Sequence, residues 1–396
     1  MNGTEELYER LAAAASLEGA DAAVRISARY EAAGGPSEKI SPPTYPVGDK
    51  ENPPYLIEER WDGDEKIKVV LVDSRQAQAN RCEEALQDAI DAGDLALPHL
   101  TLATEVQGTA IRITSLQAPH RSRDAYFRDS ETADGTVFDK SPVGAELRDA
   151  RPEDASPLYR HSPADLVYGV WDSHRNLRLA PRFSRVYTSE MVGWRVEPGR
   201  RAAGRYDLYV SGGRKVEGGN DDWQPGDGTK GKKLSELGHG SIPPNIFVKD
   251  KASKMDKLVP GGVHVQRITR AASLGFAGLA RVKLGQLDAT GHRAARAVLA
   301  ALALLGDRMA FGRAGVFLRS GADLVLVDES MTWVGRGSEE MLDLSIEGAQ
   351  ALFQMAVERA TAAGAPWEMA EVPLRPQAKL QQMLEEAYST SLADEA

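Results

Sequence analysis

Alternating hydrophobic and polar residues predict short strands along much of the chain, and longer amphipathic stretches predict a smaller number of helices. Helices are predicted at the N-terminus and at 74–92, 292–309, 346–363 and 376–388. Strand patterns occur at 22–30, 55–60, 66–72, 109–114, 185–196, 263–273, 316–318 and 324–327, and residues 165–171 are strand-like or buried. Because strands and helices interleave without a regular βαβ rhythm, we predict an α+β fold in which helices cover an antiparallel sheet.

The most informative part of this pattern is the junction between the aliphatic strand at 66–72 and the helix that follows it. Asp73 and Gln76 have the spacing of a capping box, which places the start of the helix near Ser74. A stripe of small and apolar residues on this helix is spaced to face a sheet: Ala79, Cys82, Leu86 and Ala89.

A second face of the same helix is rich in hydrogen-bond donors. Ser74, Gln78 and Arg81 share this face, and Arg75 and Asn80 lie close to it in the sequence. A helix N-terminus presents backbone amides and the positive end of the helix dipole. With the adjacent arginines, it suits a phosphate group or an RNA backbone, although a solvated polar face accounts for the same residues.

The net charge of the chain and the distribution of that charge bear differently on a nucleic-acid partner. The net charge of −10 argues against a nucleic-acid partner, because proteins that bind polyanions usually carry a basic surplus. The acidic excess is concentrated in residues 337–396, with 11 acidic and 3 basic residues, whereas residues 198–260 hold 12 basic and 8 acidic ones. A head-to-tail assembly of copies would use this asymmetry, and ordinary scatter of surface charge also explains it.

Length and composition favour a cytoplasmic protein without a membrane span. The 396 residues allow two domains or one core with large insertions. No apolar run approaches the length of a membrane span, and the N-terminus lacks the pattern of a secretion signal. The single cysteine, Cys82, excludes a disulfide framework, and we expect it to be a core residue rather than a nucleophile.

The sequence shows no recognisable catalytic or metal-binding constellation. The seven histidines lack the spacing of metal ligands, and His239 between its glycines has no catalytic partner. The segment 226–233 (GDGTKGKK) begins like a phosphate-binding loop, but Lys233 stands where Ser or Thr should bind magnesium. We therefore expect a flexible basic loop that touches phosphates, and no catalytic residue, metal or cofactor.

Several blocks, taken together and in order, resemble the backbone subunit of type I-U (also called I-G) CRISPR surveillance complexes. The resemblance covers roughly residues 22–329 and is carried by RISARYEAAGGPSEKISPPTY, DSRQAQANRCEEAL, SLQAPHRSRDAYFRDS, LVYGVWDS followed by RFSRVYTSEMVG, and HGSIPPN. That family belongs to the RAMP superfamily. The resemblance implies a modified RNA-recognition-motif (ferredoxin-like) palm with helical elaborations and a protruding β-hairpin thumb. The palm would span residues 1–197 and 263–396, and the basic insertion 198–262 would be the thumb.

The resemblance also implies where guide RNA is bound. The first set of expected contacts is the strand-to-helix block, with Ser74, Arg75, Gln78, Asn80 and Arg81. The thumb would add Lys230, Lys232, Lys233 and His239. A second tier comprises Arg29, Lys39, His120, Arg121, Arg182 and Arg185.

The function implied by the resemblance is a non-catalytic subunit that polymerises along a CRISPR guide RNA and presents it for pairing with a target DNA strand. Its partners would be the guide RNA, the target DNA through the guide, other copies of itself and other Cascade subunits. One alternative is a ribonuclease of the same superfamily that uses His239 or an acid among Asp221, Asp222 and Asp227. A more distant alternative is a cytosolic nucleotide-binding enzyme that uses residues 226–233.

Overall fold

A computed structural model describes residues 3–46, 48–172, 182–208, 215–218, 223–224, 231–249, 254–366 and 371–395. Within these ranges, no helix is both long enough and apolar enough to cross a membrane. The α-helices are α1 (Gly3–Ala14), α2 (Arg75–Asp91), α3 (Ala125–Arg128), α4 (Pro142–Asp149), α5 (Ser156–His161), α6 (Ala164–Tyr168), α7 (Phe276–Leu279), α8 (Ala289–Phe311), α9 (Ile346–Ala362) and α10 (Ala378–Glu395).

The strands are short except for those of the central sheet. In chain order they are β1 (Asp21–Ala32), β2 (Ile57–Asp62), β3 (Glu65–Asp73), β4 (His99–Val106), β5 (Thr109–Thr114), β6 (Ser130–Glu131), β7 (Val170–Trp171), β8 (Arg182–Phe183), β9 (Tyr187–Trp194), β10 (Glu197–Pro198), β11 (Ala203–Arg205), β12 (Lys215–Val216), β13 (Lys232–Lys233), β14 (Ile242–Asn245), β15 (Phe247–Lys249), β16 (Asp256–Leu258), β17 (Val263–His264), β18 (Arg267–Gly275), β19 (Gly315–Phe317), β20 (Asp323–Gly335), β21 (Glu339–Met341) and β22 (Glu371–Pro376).

The central sheet is antiparallel and confirms the predicted α+β fold. Its strands lie in the order β19-β20-β1-β18-β9-β3-β2, with β21 added alongside β20. The inner four strands, β20-β1-β18-β9, have the order of a ferredoxin-like sheet. Along the chain, α2 lies between β1 and β9 together with β2–β8 and α3–α6, and α8 lies between β18 and β20 together with α7 and β19. The strands β2 and β3 form a hairpin that extends the sheet beyond β9.

One face of this sheet is covered by helices. The N-terminal half of β1 buries Val24 and Ile26 in the same cluster as α2 and α8. Helix α8 is apolar around its whole circumference between Ala297 and Leu305, as expected for a helix enclosed by other elements. Helices α1, α2 and α9 pack around it. The core therefore lies between the central sheet and this group of helices.

A network of buried charges lies at the centre of this layer. The Arg270 guanidinium on β18 is fully buried and forms an ion pair with Asp307 of α8. Tyr187 of β9 donates its hydroxyl to Asp307 at 2.5 Å. Arg308 bonds to both Asp307 and Glu329, with Nη1 2.5 Å from Glu329 Oε2. The network joins β9, β18, β20 and α8, so it fixes the sheet against its main covering helix.

The basic segment between β9 and β18 forms a hairpin-like ladder of short strand pairs. Strand β10 pairs with β17, β11 with β14, and β12 with β13, each pair lying inside the previous one along the sequence. A second small hairpin, β15–β16, branches from the returning side. This nesting is the geometry expected of a β-hairpin thumb, and the division of the chain into palm and thumb stays a prediction.

A second, smaller sheet has the strand order β5-β4-β22-β6. The C-terminal strand β22 runs parallel to β4 and antiparallel to β6, and α10 packs against both β4 and β22. The last elements of the chain therefore pack on the region that follows α2 in sequence.

Candidate nucleic-acid interface

The start of α2 differs from the predicted capping box. Ser74, not Asp73, is the N-cap: its hydroxyl accepts a hydrogen bond from the Ala77 amide at 3.2 Å. The Asp73 carboxylate instead accepts bonds from Gln78 Nε2 at 2.5 Å and Arg81 Nε at 2.7 Å. The helix therefore begins with Arg75, one residue beyond its predicted start, and Asp73 organises the side chains of the first turns.

The predicted donor face of α2 is largely internal. Gln78, one of the expected RNA contacts, is fully buried, and its side chain bonds to Asp73, Ser189 and Arg270. Arg81 has only 11% of its side chain exposed and also donates to the Phe317 carbonyl at 3.2 Å. The periodicity identified a polar face correctly, but that face packs against β9 and β18.

Two of the predicted α2 residues do reach the surface. Arg75 keeps 60% of its side chain exposed, and its nearest acidic partner is Glu190 at 3.6 Å. Asn80 is also exposed. On the opposite side, Ala79, Cys82 and Leu86 are buried as predicted, and burial raises the pKa of the Cys82 thiol to about 12. This confirms the prediction that Cys82 is a core residue.

Beside α2 lies a cavity of about 270 Å³ that brings four second-tier candidates together. We call it the arginine pocket, and its lining includes His120, Arg121, Trp171, Arg182 and Arg185. The first two residues come from the segment after β5, Trp171 and Arg182 come from the β7–β8 pair, and Arg185 follows β8. Residues separated by more than sixty positions in the sequence thus line one opening.

Gly169 sets the approach of the two strands that build the pocket wall. Its φ is +84°, a value that residues with a side chain rarely adopt. A Cβ atom at this position would lie 2.9 Å from the Arg185 amide nitrogen. Glycine is therefore required here for Arg182 and Arg185 to stand opposite Trp171.

Arg121 is held in the pocket wall by a buried carboxylate. Its Nε and Nη2 atoms donate to Glu83 of α2 at 2.5 and 2.8 Å, and Nη1 donates to the Gly169 carbonyl at 2.8 Å. These three bonds hold the backbone at a φ of +51°, which is a strained value for arginine. Burial raises the pKa of the Glu83 carboxyl to about 7, although Arg121 opposes the shift.

The pocket has an excess of positive charge. Burial and the neighbouring guanidinium groups of Arg121, Arg75 and Arg182 lower the pKa of Arg185 from its ordinary value. Arg182 and Arg185 make no ion pair with any residue in the described ranges. The linker at 173–181 contributes Arg175 and Arg178 to the sequence and no acidic residue. An anion that enters this pocket would therefore face few competing carboxylates.

Sequence reasoning missed Trp171, which is the main aromatic residue of this pocket. The prediction that residues 165–171 are strand-like or buried holds for the buried helix α6 but not for Trp171, which is 56% exposed. A large exposed aromatic ring beside arginines is typical of proteins that stack on nucleic-acid bases. The signal available in the sequence was the WDS…RFSR block, in which the aromatic residue and the arginines are close neighbours.

The other predicted contacts do not line the arginine pocket. Arg29 lies on the exposed face of β1, paired with Asp328 at 2.7 Å, and Lys39 approaches the Arg200 carbonyl at the base of the insertion. Lys232 and Lys233 are exposed on β13. The exposed His239 ring lies 5.8 Å from that of Trp223. Lys230 lies outside the described residues, as do the candidate nuclease acids Asp221, Asp222 and Asp227.

The described end of the loop at 226–233 does not have the geometry of a nucleotide-binding loop. Lys232 and Lys233 form a strand paired with Lys215 and Val216, and a short 3₁₀ helix follows at Leu234–Leu237. A phosphate-binding loop of that type instead leads into the first turn of an α-helix, where the backbone amides point at the phosphates.

Residues 24–198 match a family model described as CRISPR-associated protein GSU0053. The matched range runs from β1 to the start of the basic insertion and includes α2 and every residue of the arginine pocket. This match supports a CRISPR-associated protein, in agreement with the resemblance noted in the sequence. No curated protein gave a match to the chain.

Proposed function

We propose that this protein is the guide RNA-binding backbone subunit of a type I CRISPR surveillance complex. It would polymerise along the guide and present the bases for pairing with target DNA, so that base pairing supplies sequence recognition and the protein supplies backbone contacts. The observation that carries the proposal is the arginine pocket. Arg182 and Arg185, which have no acidic partner among the described residues, and the exposed Trp171 are groups suited to hold single-stranded RNA by its phosphates and its bases.

The ferredoxin-like sheet and the nested hairpin agree with the palm and thumb that the resemblance implies. The basic insertion and the acidic C-terminal region offer complementary surfaces for stacking one copy on the next, a heterologous contact that generates a filament. Type I-U specificity, the RAMP assignment and the partner subunits are part of this proposal. A non-catalytic role is also part of it.

Co-expression with a CRISPR array tests the proposal directly. We expect large particles on size exclusion that contain intact, spacer-bearing RNA of uniform length. Cleaved RNA that becomes intact in His239→Ala would favour a ribonuclease instead. A nucleic-acid-free monomer, obtained even when neighbouring CRISPR subunits are co-expressed, would refute the backbone role.

The Glu83–Arg121 pair predicts a pH dependence of RNA binding. As the pH falls from about 8 to about 6, Glu83 takes up a proton and ceases to neutralise Arg121, so the positive charge of the pocket rises by one unit. We expect RNA affinity to increase by about threefold over this range, as estimated for one charge near the surface. Fluorescence anisotropy with a labelled single-stranded RNA at constant ionic strength measures the change.

Glu83→Gln is the diagnostic variant for this pH dependence. It should bind RNA at pH 8 about as tightly as the wild type does at pH 6 and should show little further change. His120→Gln, on the same pocket wall, is the matched control and should keep the step. If the step persists in Glu83→Gln, Glu83 is not the group that causes it.

A further inference from the structure

Arg296 differs from the other arginines buried in this fold. The fully or nearly buried arginines in the described ranges are Arg123, Arg270, Arg296 and Arg308. The other three each have a carboxylate partner, namely Asp172 for Arg123, Asp307 for Arg270, and both Asp307 and Glu329 for Arg308. Arg296 on α8 is 7% exposed, and no acidic residue in the described ranges pairs with it.

A buried cation without a counter-ion is unfavourable unless something else compensates its charge. The Nε atom of Arg296 donates to the Val282 carbonyl at 2.9 Å, which orients the guanidinium but does not neutralise it. In agreement with this, burial alone lowers the pKa of Arg296. Among the described residues, nothing acidic therefore compensates the charge of Arg296.

Arg296 lines a cavity of about 650 Å³ that shares the lining segment Arg182–Arg185 with the arginine pocket. Two further cations, Arg281 and Lys283, come from the turn between α7 and α8 and make no ion pair with any described residue. Arg182 and Arg185 complete the basic lining. One of the residues that line the cavity, Glu153, is acidic, and it is exposed.

We propose that this cavity, here called the Arg296 cavity, is a phosphate-binding site. Its ligand would be a phosphate group that accepts hydrogen bonds from the Arg296 guanidinium and is neutralised by Arg281 and Lys283 at the rim. Guanidinium groups suit this role, because their planar donors match phosphate oxygens. The phosphate is either free or part of an RNA backbone, and only the second source rests on the proposed function.

Thermal unfolding in phosphate tests the site without any RNA. Inorganic phosphate at about ten times its Kd, compared with chloride at equal ionic strength, should raise the Tm of the wild type by about 2 °C. Arg296→Met should abolish this rise, because the phosphate loses its buried partner. Arg293→Met is the matched control: it lies one turn away on α8, is exposed and pairs with Glu9, so it should keep the rise.

The second arm measures the affinity for a short single-stranded RNA. A roughly tenfold weaker Kd in Arg296→Met but not in Arg293→Met would identify an RNA phosphodiester as the ligand. If Arg296→Met does not fold, the variant Lys283→Ala, at the exposed rim of the cavity, is used instead in both the thermal unfolding and the RNA-binding measurements. The proposed site would be refuted if phosphate raised the Tm of all variants equally. It would also be refuted if the variants differed neither in this Tm rise nor in their Kd for RNA. A phosphate response without co-purifying guide RNA would leave the site standing and count against the proposed function.

Discussion

Asp307→Asn lowers the free energy of unfolding by about 3–5 kcal/mol, the range expected when one partner of a buried ion pair is removed. Asp307 is fully buried and receives hydrogen bonds from Arg270, Arg308 and Tyr187. Asparagine keeps the size of the side chain but removes the charge. Arg270 and Arg308 are then left with Glu329 as their remaining acidic neighbour, 3.8 Å from Arg270. Urea unfolding followed by circular dichroism measures the loss.

The matched control is Asp328→Asn, which carries the same chemical change at the surface. Asp328 pairs with Arg29 at 2.7 Å, but both side chains are more than half exposed, so the change should cost less than about 1 kcal/mol. A loss in Asp307→Asn no larger than the loss in Asp328→Asn would show that the buried network does not hold the sheet to α8.

The same variant has a defined pH dependence. Burial alone would raise the pKa of the Asp307 carboxyl, but Arg270 and Arg308 outweigh burial and hold that pKa below its ordinary value. A carboxyl with a lowered folded-state pKa stabilises the fold above its unfolded-state pKa, about 4, and loses this contribution as the pH falls through the folded-state pKa. The stability difference between the wild type and Asp307→Asn should therefore be full at neutral pH and shrink below about pH 4.

Replacing both Arg182 and Arg185 with alanine weakens single-stranded RNA binding by about 100-fold if each arginine makes one charge-assisted phosphate contact. It should also flatten the log–log salt dependence of the binding constant by about 1.4 units, at about 0.7 units for each phosphate contact on a single strand. Both side chains line the arginine pocket and lack acidic partners in the described ranges, so the substitutions break no ion pair there. Anisotropy titrations at several salt concentrations measure both quantities.

Two exposed arginines outside the pocket provide the control. Arg293 and Arg359 pair with Glu9 and Glu5, and their double alanine variant removes the same formal charge. It should change RNA affinity only slightly and leave the salt slope nearly unchanged. If the two double variants behave alike, net charge governs binding and the arginine pocket is not the RNA site.

Several strands of the central sheet and the longer helices were predicted from the sequence because their signals are local, whereas β4, β22, α4 and α5 were not predicted. The alternation at 22–30 and the aliphatic run at 69–72 correspond to β1 and β3, and the pattern at 292–309 lies inside α8. Three residues of the small-residue stripe of α2, namely Ala79, Cys82 and Leu86, are buried as expected, and Ala89 is half-buried. These features depend on periodicity along a few turns or residues, which a single sequence displays directly.

The contacts of individual side chains were harder to predict because their partners are distant in sequence. Gln78 has the spacing of an exposed donor, but its partners Ser189 and Arg270 come from β9 and β18. Arg121 has the sequence context of an open basic cluster, and Glu83 of α2 neutralises it. Periodicity separates the faces of a helix but does not indicate which polar face is covered by another element. Trp171 shows the opposite difference: it lies in a hydrophobic, strand-like segment, where a buried side chain was expected, but its ring is exposed.

The position of β1 in the central sheet has a consequence for synthesis of the chain. Although β1 is the first strand made, it pairs only with β18 and β20: Ala23 faces Gly275, and Val24 faces Trp333, roughly 250 and 310 residues later. At about 5–20 residues per second, a ribosome takes on the order of 10–60 s to supply these partners. During that interval, β1 has two unsatisfied edges of the kind that promote association between chains. We therefore expect nascent chains of this protein to be prone to association until β18 and β20 have emerged.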